Sequence, residues 1–193
     1  MNTNHTLPHR RSVRIAGYDY TRAGAYFVTI CTRDRACILG DVVDGTVHLN
    51  PLGCAARHEW MVIPTHHPQV VLDVFVVMPN HVHGIIILSH PSGTARRAPT
   101  EERFARPVAG SLPTIVRAFK SASTRSINLL RRTPGAAVWQ RNYYEHVIRN
   151  EDELLRAREY IVNNPLRWSL DRDNPDVIAP RALSVGLRPA VPS

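Results

Sequence analysis

Apolar positions along this chain change period several times, and each change marks an element. From Tyr26 to Thr32 the run YFVTICT is β-branched and aromatic, which predicts a strand. Ala36 to Leu39 predicts a second short strand. Thr46 to Leu49 predicts a third, after the Asp44-Gly45 turn signal. Pro51 suits a helix start, and Leu52 to Val62 carries apolar residues at helical spacing. Val70 to Val77 predicts a buried strand, Pro79-Asn80 a turn, and His83 to Leu88 the next strand. Leu112 to Leu130 predicts a helix, and Ala137 to Val147 has room for one more short strand. Asn150 to Asn163 predicts the clearest helix. Asn150 can cap it, Glu153 stands three residues on as a capping box requires, and Pro165 ends it.

Strands in hairpins with helices between the pairs predict an α+β fold. The expected architecture is a ferredoxin-like antiparallel sheet with helices packed on one face. Residues 1–11 read as a flexible lead, 12–168 as the domain, 89–111 as a mobile surface loop and 169–193 as a Pro/Arg-rich tail. A length of 193 residues suits one domain with a sizeable core.

Charge adds a partner class. Lys+Arg is 24 against Asp+Glu 16, for a net charge of +8, and Lys120 is the one lysine. Arginine-biased basicity suits phosphate, because the guanidinium fork matches two phosphate oxygens. The bland alternative is a solvated basic surface. Cys31, Cys37 and Cys54 form no CxxC pair, so free thiols in a reducing cytoplasm are the expected state. Met1 to Ser12 shows no apolar signal core. The strongest apolar run, Val70 to Met78, is interrupted by Asp73 and is about half the length a bilayer span needs, so no membrane partner is expected.

Two features carry candidate chemistry. In Met78-Pro-Asn-His-Val-His-Gly-Ile, His81 and His83 are two apart, so on a strand their imidazoles share one face. Such a pair can hold one divalent metal with open coordination positions. The pair is equally compatible with ordinary strand-edge histidines. A cupin-type site would want a following Glu, and a histidine-triad hydrolase a third His at position 85, where Ile85 stands. On the Asn150–Asn163 helix, Leu154, Ala157, Ile161 and Val162 share an apolar arc with Leu155 near its margin, and Arg158 falls inside it unexplained. Tyr160 and Asn164 stack four apart at its border, placed for a cleft between helix and sheet or simply for the core edge.

Together these segments resemble the single-tyrosine transposases of the HUH superfamily, and are most similar to the bacterial REP-associated tyrosine transposases. Four stretches carry the resemblance: YFVTICTRDR at 26–35, VVMPNHVHGIIIL at 76–88, TIVRAFKSASTRSIN at 114–128 and WQRNYYEHVIRNEDELLRAREYIVNNPLRW at 139–168. It implies that His81 and His83 bind Mg²⁺ or Mn²⁺. It makes Tyr160 the nucleophile and Asn164 a polar third ligand, where such families often have Gln. Tyr143 and Tyr144 compete as nucleophiles but precede the helix and lack the metal-side partner. The implied reaction nicks and rejoins single-stranded DNA at hairpins through a 5′-phosphotyrosine. Rejoining conserves the phosphoester, in keeping with a chain that has no GxxxxGK[ST] loop. Arg117, Lys120, Arg141 and Arg149 are then the expected DNA contacts, with Arg10 to Arg14 a further basic segment. The resemblance leaves monomer or homodimer open. Two other readings stay in play: a non-catalytic hairpin-binding protein, and a small metal-dependent nucleotide hydrolase.

Overall fold

The computed structural model describes residues 18–89, 108–171 and 174–178. The 1–11 lead, Arg10 to Arg14, nearly all of the 89–111 loop and the chain beyond 178 lie outside the described residues. The elements run β1 (Gly24–Cys31), β2 (Gly40–Val43), β3 (Thr46–Leu49), α1 (Pro51–Met61), α2 (Ile63–His66), β4 (Val70–Met78), β5 (His81–Leu88), α3 (Leu112–Arg131), β6 (Tyr144–Ile148), α4 (Glu151–Asn163) and α5 (Pro175–Ile178). Short 3₁₀ turns occupy Arg33–Arg35 and Pro165–Leu170.

Four strands form one antiparallel sheet in the order β4-β5-β1-β6, as the α+β expectation requires. The second strand is corrected. Residues 36–39 do not pair; their backbone is tied to the neighbouring turn by Leu39 N–H donating to Pro79 O at 2.9 Å. Pairing begins instead at Gly40, and β2 and β3 close a hairpin over Asp44-Gly45. Both turn residues have positive φ, 50° and 72°, which matches the right-handed strand twist and suits Asp-Gly. Asn50 starts α1 by accepting from Leu52 N–H and Gly53 N–H at 2.9 and 3.1 Å.

The one-face layering is also corrected. Even-numbered residues of β1 and β5 point to one side, odd-numbered residues to the other. On the first side Tyr26, Val28, Ile30, Val82 and Ile86 pack with Trp60 of α1 and with Ile115 and Phe119 of α3. On the second side α4 seats Ile161 against Ile85 and Ile148, with Phe27, Leu154 and Ala157 around them. Helices therefore cover both faces. Val162 does not join the buried arc of α4 and is 64% exposed.

Arg158, unexplained by periodicity, has an acid opposite it. Asp73 sits where the β4–β5 register shifts, between Leu72 and Phe75. Arg158 Nε donates to its Oδ2 at 2.9 Å, and the second guanidinium nitrogen lies 2.8 Å from the same oxygen. The pair ties α4 to the sheet at the irregular stretch of β4.

Gly84 sets how closely α1 lies on the sheet. It pairs with Val28 and Phe75 on the first face. A Cβ there would lie 2.3 Å from Trp60 Cζ2, and the indole is fully buried. Gly84→Ala should therefore cost about 1–3 kcal/mol of stability as overpacking. Urea unfolding measures it, and an unchanged midpoint would show that the indole gives way freely.

Candidate active site

The second face carries the site. β5 pairs His81 with Cys31 and Met78, and His83 with Thr29 and Val76, so both imidazoles stand on the α4 side. Their ring centroids are 4.3 Å apart. Both are buried, at 0% and 3% exposure. From α4, Tyr160 brings its ring to 5.2 Å from His83 and 5.9 Å from Phe27, centroid to centroid. The 3₁₀ turn that follows brings Trp168 to 6.1 Å from His81. Tyr160 stays 41% exposed, while Asn164, one turn on, is buried. Asn164 keeps helical angles (φ −59°, ψ −42°) even though Pro165 follows, a combination that crowding by the proline ring disfavours.

Hydrogen bonds fix which atoms face the middle. Asn80 Nδ2 donates to Arg35 O at 3.0 Å, so the other end of that carboxamide is an acceptor. It lies 2.8 Å from His81 Nδ1, which must therefore carry the proton. His81 Nε2 is left with a lone pair. His83 Nδ1 meets the Thr29 hydroxyl at 2.8 Å, and that hydroxyl can accept as well as donate. Asn164 Nδ2 donates to Asp171 Oδ2 at 3.3 Å, which turns its Oδ1 the other way. His81 Nε2, His83 Nε2 and Asn164 Oδ1 are buried atoms that make no hydrogen bond. Two imidazole nitrogens and an amide oxygen without donors are a donor set for a divalent cation. Among the described residues no group of three or more His, Cys, Asp or Glu side chains is placed to hold a metal, so the amide is the available third donor.

Electrostatics agree with neutral imidazoles. Burial pushes His81 down to about 4, with the Asp171 carboxylate and the Asn164 carboxamide pulling back up and the Arg35 guanidinium pushing further down. Burial, then the neighbouring His81, holds His83 well below the usual imidazole range. Neutral rings are the form that ligates.

The expected DNA contacts divide. Arg141 is exposed and lines an open depression of about 530 Å³ with Arg33, Asp34, Ala137, Trp139 and Gln140, at the sheet end where Cys31 pairs with His81. Arg149 is exposed at the start of α4. Arg117 is exposed on α3, which packs on the opposite face of the sheet from the histidines. Lys120 is re-read: its Nζ donates to the carbonyls of Gln140 and Arg141, which ties α3 to the loop before β6. Burial lowers it to about 8, and its charge is turned inward.

Sequence reasoning missed Thr29, Asn80 and Asp171. Thr29 and Asn80 lie in segments already singled out, but their roles depend on which strand pairs with which. Asp171 lies beyond the boundary read at 168, and so does Asn174, whose Nδ2 donates to Trp168 O at 2.9 Å.

No known protein-family profile matches the chain. An uncharacterized protein of Haemophilus influenzae is 40% identical over 173 residues, 88% of this chain and 95% of the relative. A second protein of that organism, named "Putative REP-associated tyrosine transposase", is 25% identical over 152 residues, 77% of this chain and 74% of its own length. Among solved structures, that of a REP-associated tyrosine transposase bound to a REP hairpin matches with a TM-score of 0.55. It is 22% identical and covers 80% of this chain and 73% of its own.

Acid should destabilise the metal-free protein through His81. An unfolded imidazole titrates near 6.5 and the folded one at about 4, so between those values the unfolded chain binds the extra proton. Stability falls as pH drops through that window and levels below it. At about 1.4 kcal/mol per pKa unit, His81 alone accounts for about 3 kcal/mol. Urea unfolding at pH 7.5 and 4.5 in chelator reads the loss. An equal loss in His81→Gln would show that this imidazole is not its source.

Proposed function

This chain belongs to one family with the uncharacterized Haemophilus influenzae protein and has the fold of a REP-associated tyrosine transposase, and on that footing we propose that it nicks and rejoins single-stranded DNA at hairpins. The observation that carries the proposal is the meeting of the Tyr160 ring with His83, beside three buried polar atoms that make no hydrogen bond.

Tyr160 is the nucleophile. Its hydroxyl gives up its proton as its oxygen bonds phosphorus, the bond from phosphorus to the 3′ oxygen breaks, and that oxygen takes up a proton from solvent and leaves as a hydroxyl, so protons balance. The product is a 5′-phosphotyrosine and a free 3′ end, and reversal by another 3′-hydroxyl rejoins DNA without ATP. His81, His83 and Asn164 would hold Mg²⁺ or Mn²⁺. When bound, such an ion supplies Lewis-acid stabilisation of charge on the scissile phosphate. Phe27 and His83 flank the Tyr160 ring and limit its orientations. Arg141 and Arg33 are the proposed phosphate contacts at the His81 end of the sheet, and Arg149, beside the Ala25 end, would meet only a longer strand. Arg117 would serve only a strand that wraps around to the other face. All four site residues come from one chain, so a monomer suffices for chemistry.

A labelled single-stranded hairpin with Mn²⁺ tests the proposal. Wild-type protein should form a covalent adduct, mapped by mass spectrometry to Tyr160. Tyr160→Phe should lose adduct and nicking by at least about 10³-fold, the scale expected when a nucleophile that works with a partner is removed. It should still shift the hairpin in a gel. An adduct in that variant sinks the nucleophile assignment. A wild-type gel shift without adduct leaves a binding protein, and free product without adduct leaves a hydrolase.

His81→Ala should lose metal-dependent cleavage. Wild-type activity in that variant with excess chelator would refute a catalytic ion at this pocket.

A further inference from the structure

We propose that Asp171 is a positioning residue, which fixes the carboxamide of Asn164 so that its oxygen, not its nitrogen, faces the two imidazoles. The inference rests on the transposase reading and adds to it a residue beyond the segments that carried the sequence resemblance.

An asparagine side chain is nearly symmetric in shape, so its environment must decide which end faces which way. A carboxylate only accepts hydrogen bonds. With Asp171 Oδ2 at 3.3 Å from Asn164 Nδ2, the amide nitrogen is committed to that side. The buried Oδ1 makes no hydrogen bond, nor do His81 Nε2 and His83 Nε2, and the carboxamide is close enough to act on His81. Reversing the amide would set its nitrogen against the imidazoles and its oxygen against a carboxylate.

The chain holds Asp171 in place. Its N–H donates to Trp168 O at 3.1 Å, and Asn174 N–H donates to Asp171 O at 2.9 Å. Asn174 is itself buried, with its side chain on Trp168 O. The acid is therefore tied through its backbone on both sides, directly after the 3₁₀ segment. Direct ligation is the competing role, and no metal-holding group of His, Cys, Asp and Glu forms there among the described residues. Partners standing behind metal ligands typically govern affinity by about 10–100-fold. A short amide such as Asn needs such a partner more than a longer one, because it has fewer torsions with which to find the ion.

The test is Mn²⁺ binding by the full chain without DNA, followed by electron paramagnetic resonance of free Mn²⁺, with hairpin adduct as a second readout. Asp171→Ala should weaken Mn²⁺ by about 10-fold or more. Asp171→Asn, which can still accept from Asn164, should stay within about threefold of wild type. Hairpin gel shift and a cooperative melt check folding, and Asp171→Leu replaces the alanine variant should that one not fold. Wild-type affinity in the alanine or leucine variant overturns the proposal. So does an asparagine variant as weak as alanine, because then the charge and not the hydrogen bond matters. A wild-type protein that binds no Mn²⁺ fails earlier, at the metal reading itself, and takes the proposal with it.

Discussion

The structure turns on a buried cluster of two imidazoles and one carboxamide. His81 Nε2, His83 Nε2 and Asn164 Oδ1 make no hydrogen bond. Leaving a buried acceptor unmatched costs roughly 1–3 kcal/mol, and lone pairs that converge repel one another as well. A positive charge brought there in use would relieve the cluster. A divalent ion is the proposed relief, and the substrate phosphates would share it. Nearby hydrogen bonds hold the acceptors in this arrangement rather than quench it.

That support reaches back to the end of β1. Asp34 and Arg35 both take left-handed backbone angles, φ 55° and 54°, which non-glycine residues adopt at a cost of about 1 kcal/mol or more each. The bend aims Arg35 O at Asn80 Nδ2, and Asn80 in turn sets the tautomer of His81. Thr32 pins the same turn from the other side, its N–H and its hydroxyl both donating to Asn80 O at 2.8 and 3.0 Å. Local strain in the turn after β1 is thus converted into the orientation of a ring on the neighbouring strand β5. On the other flank, Asp73 and Arg158 hold α4 to the sheet at the register shift of β4, and α4 carries Tyr160.

What the sequence could reveal follows from how far each signal reaches. His81 and His83 share a face because strand periodicity is two, a local fact. Tyr160 and Asn164 stack because helix periodicity is 3.6, another local fact. Their convergence needed the resemblance, since nothing in α4's own pattern says which face of the sheet it covers. The one-face layering failed for that reason. Arg158 looked misplaced because its partner is 85 residues away. Lys120 looked like a surface cation on an amphipathic helix, yet three residues of a distant loop, Gln140 to Asn142, offer it carbonyls. Residues 36–39 are apolar enough for a strand, but a ladder needs a neighbour, and theirs begins only at Gly40. Asp171 was hidden by composition, because it follows Pro165 in a stretch rich in Pro, Asp and Arg.

The shape of the site supports the proposed strand exchange over the hydrolase reading. A hydrolase of free nucleotides gains from a closed pocket that surrounds its small substrate. Here the depths hold the imidazoles of His81 and His83, at 0% and 3% exposure, while Tyr160 keeps 41% of its surface in solvent. The neighbouring depression under Arg33 and Arg141 is open rather than enclosed, and it lies at the sheet end where Cys31 meets His81. A polymer can lay one phosphate over the mouth and leave its flanking nucleotides along that basic rim, which a mononucleotide cannot do. A nucleophile fixed on the protein also keeps the cut end attached, whereas water would release it. An exposed phenol over buried acceptors, beside an open basic rim, is therefore better suited to exchanging strands than to hydrolysing small molecules.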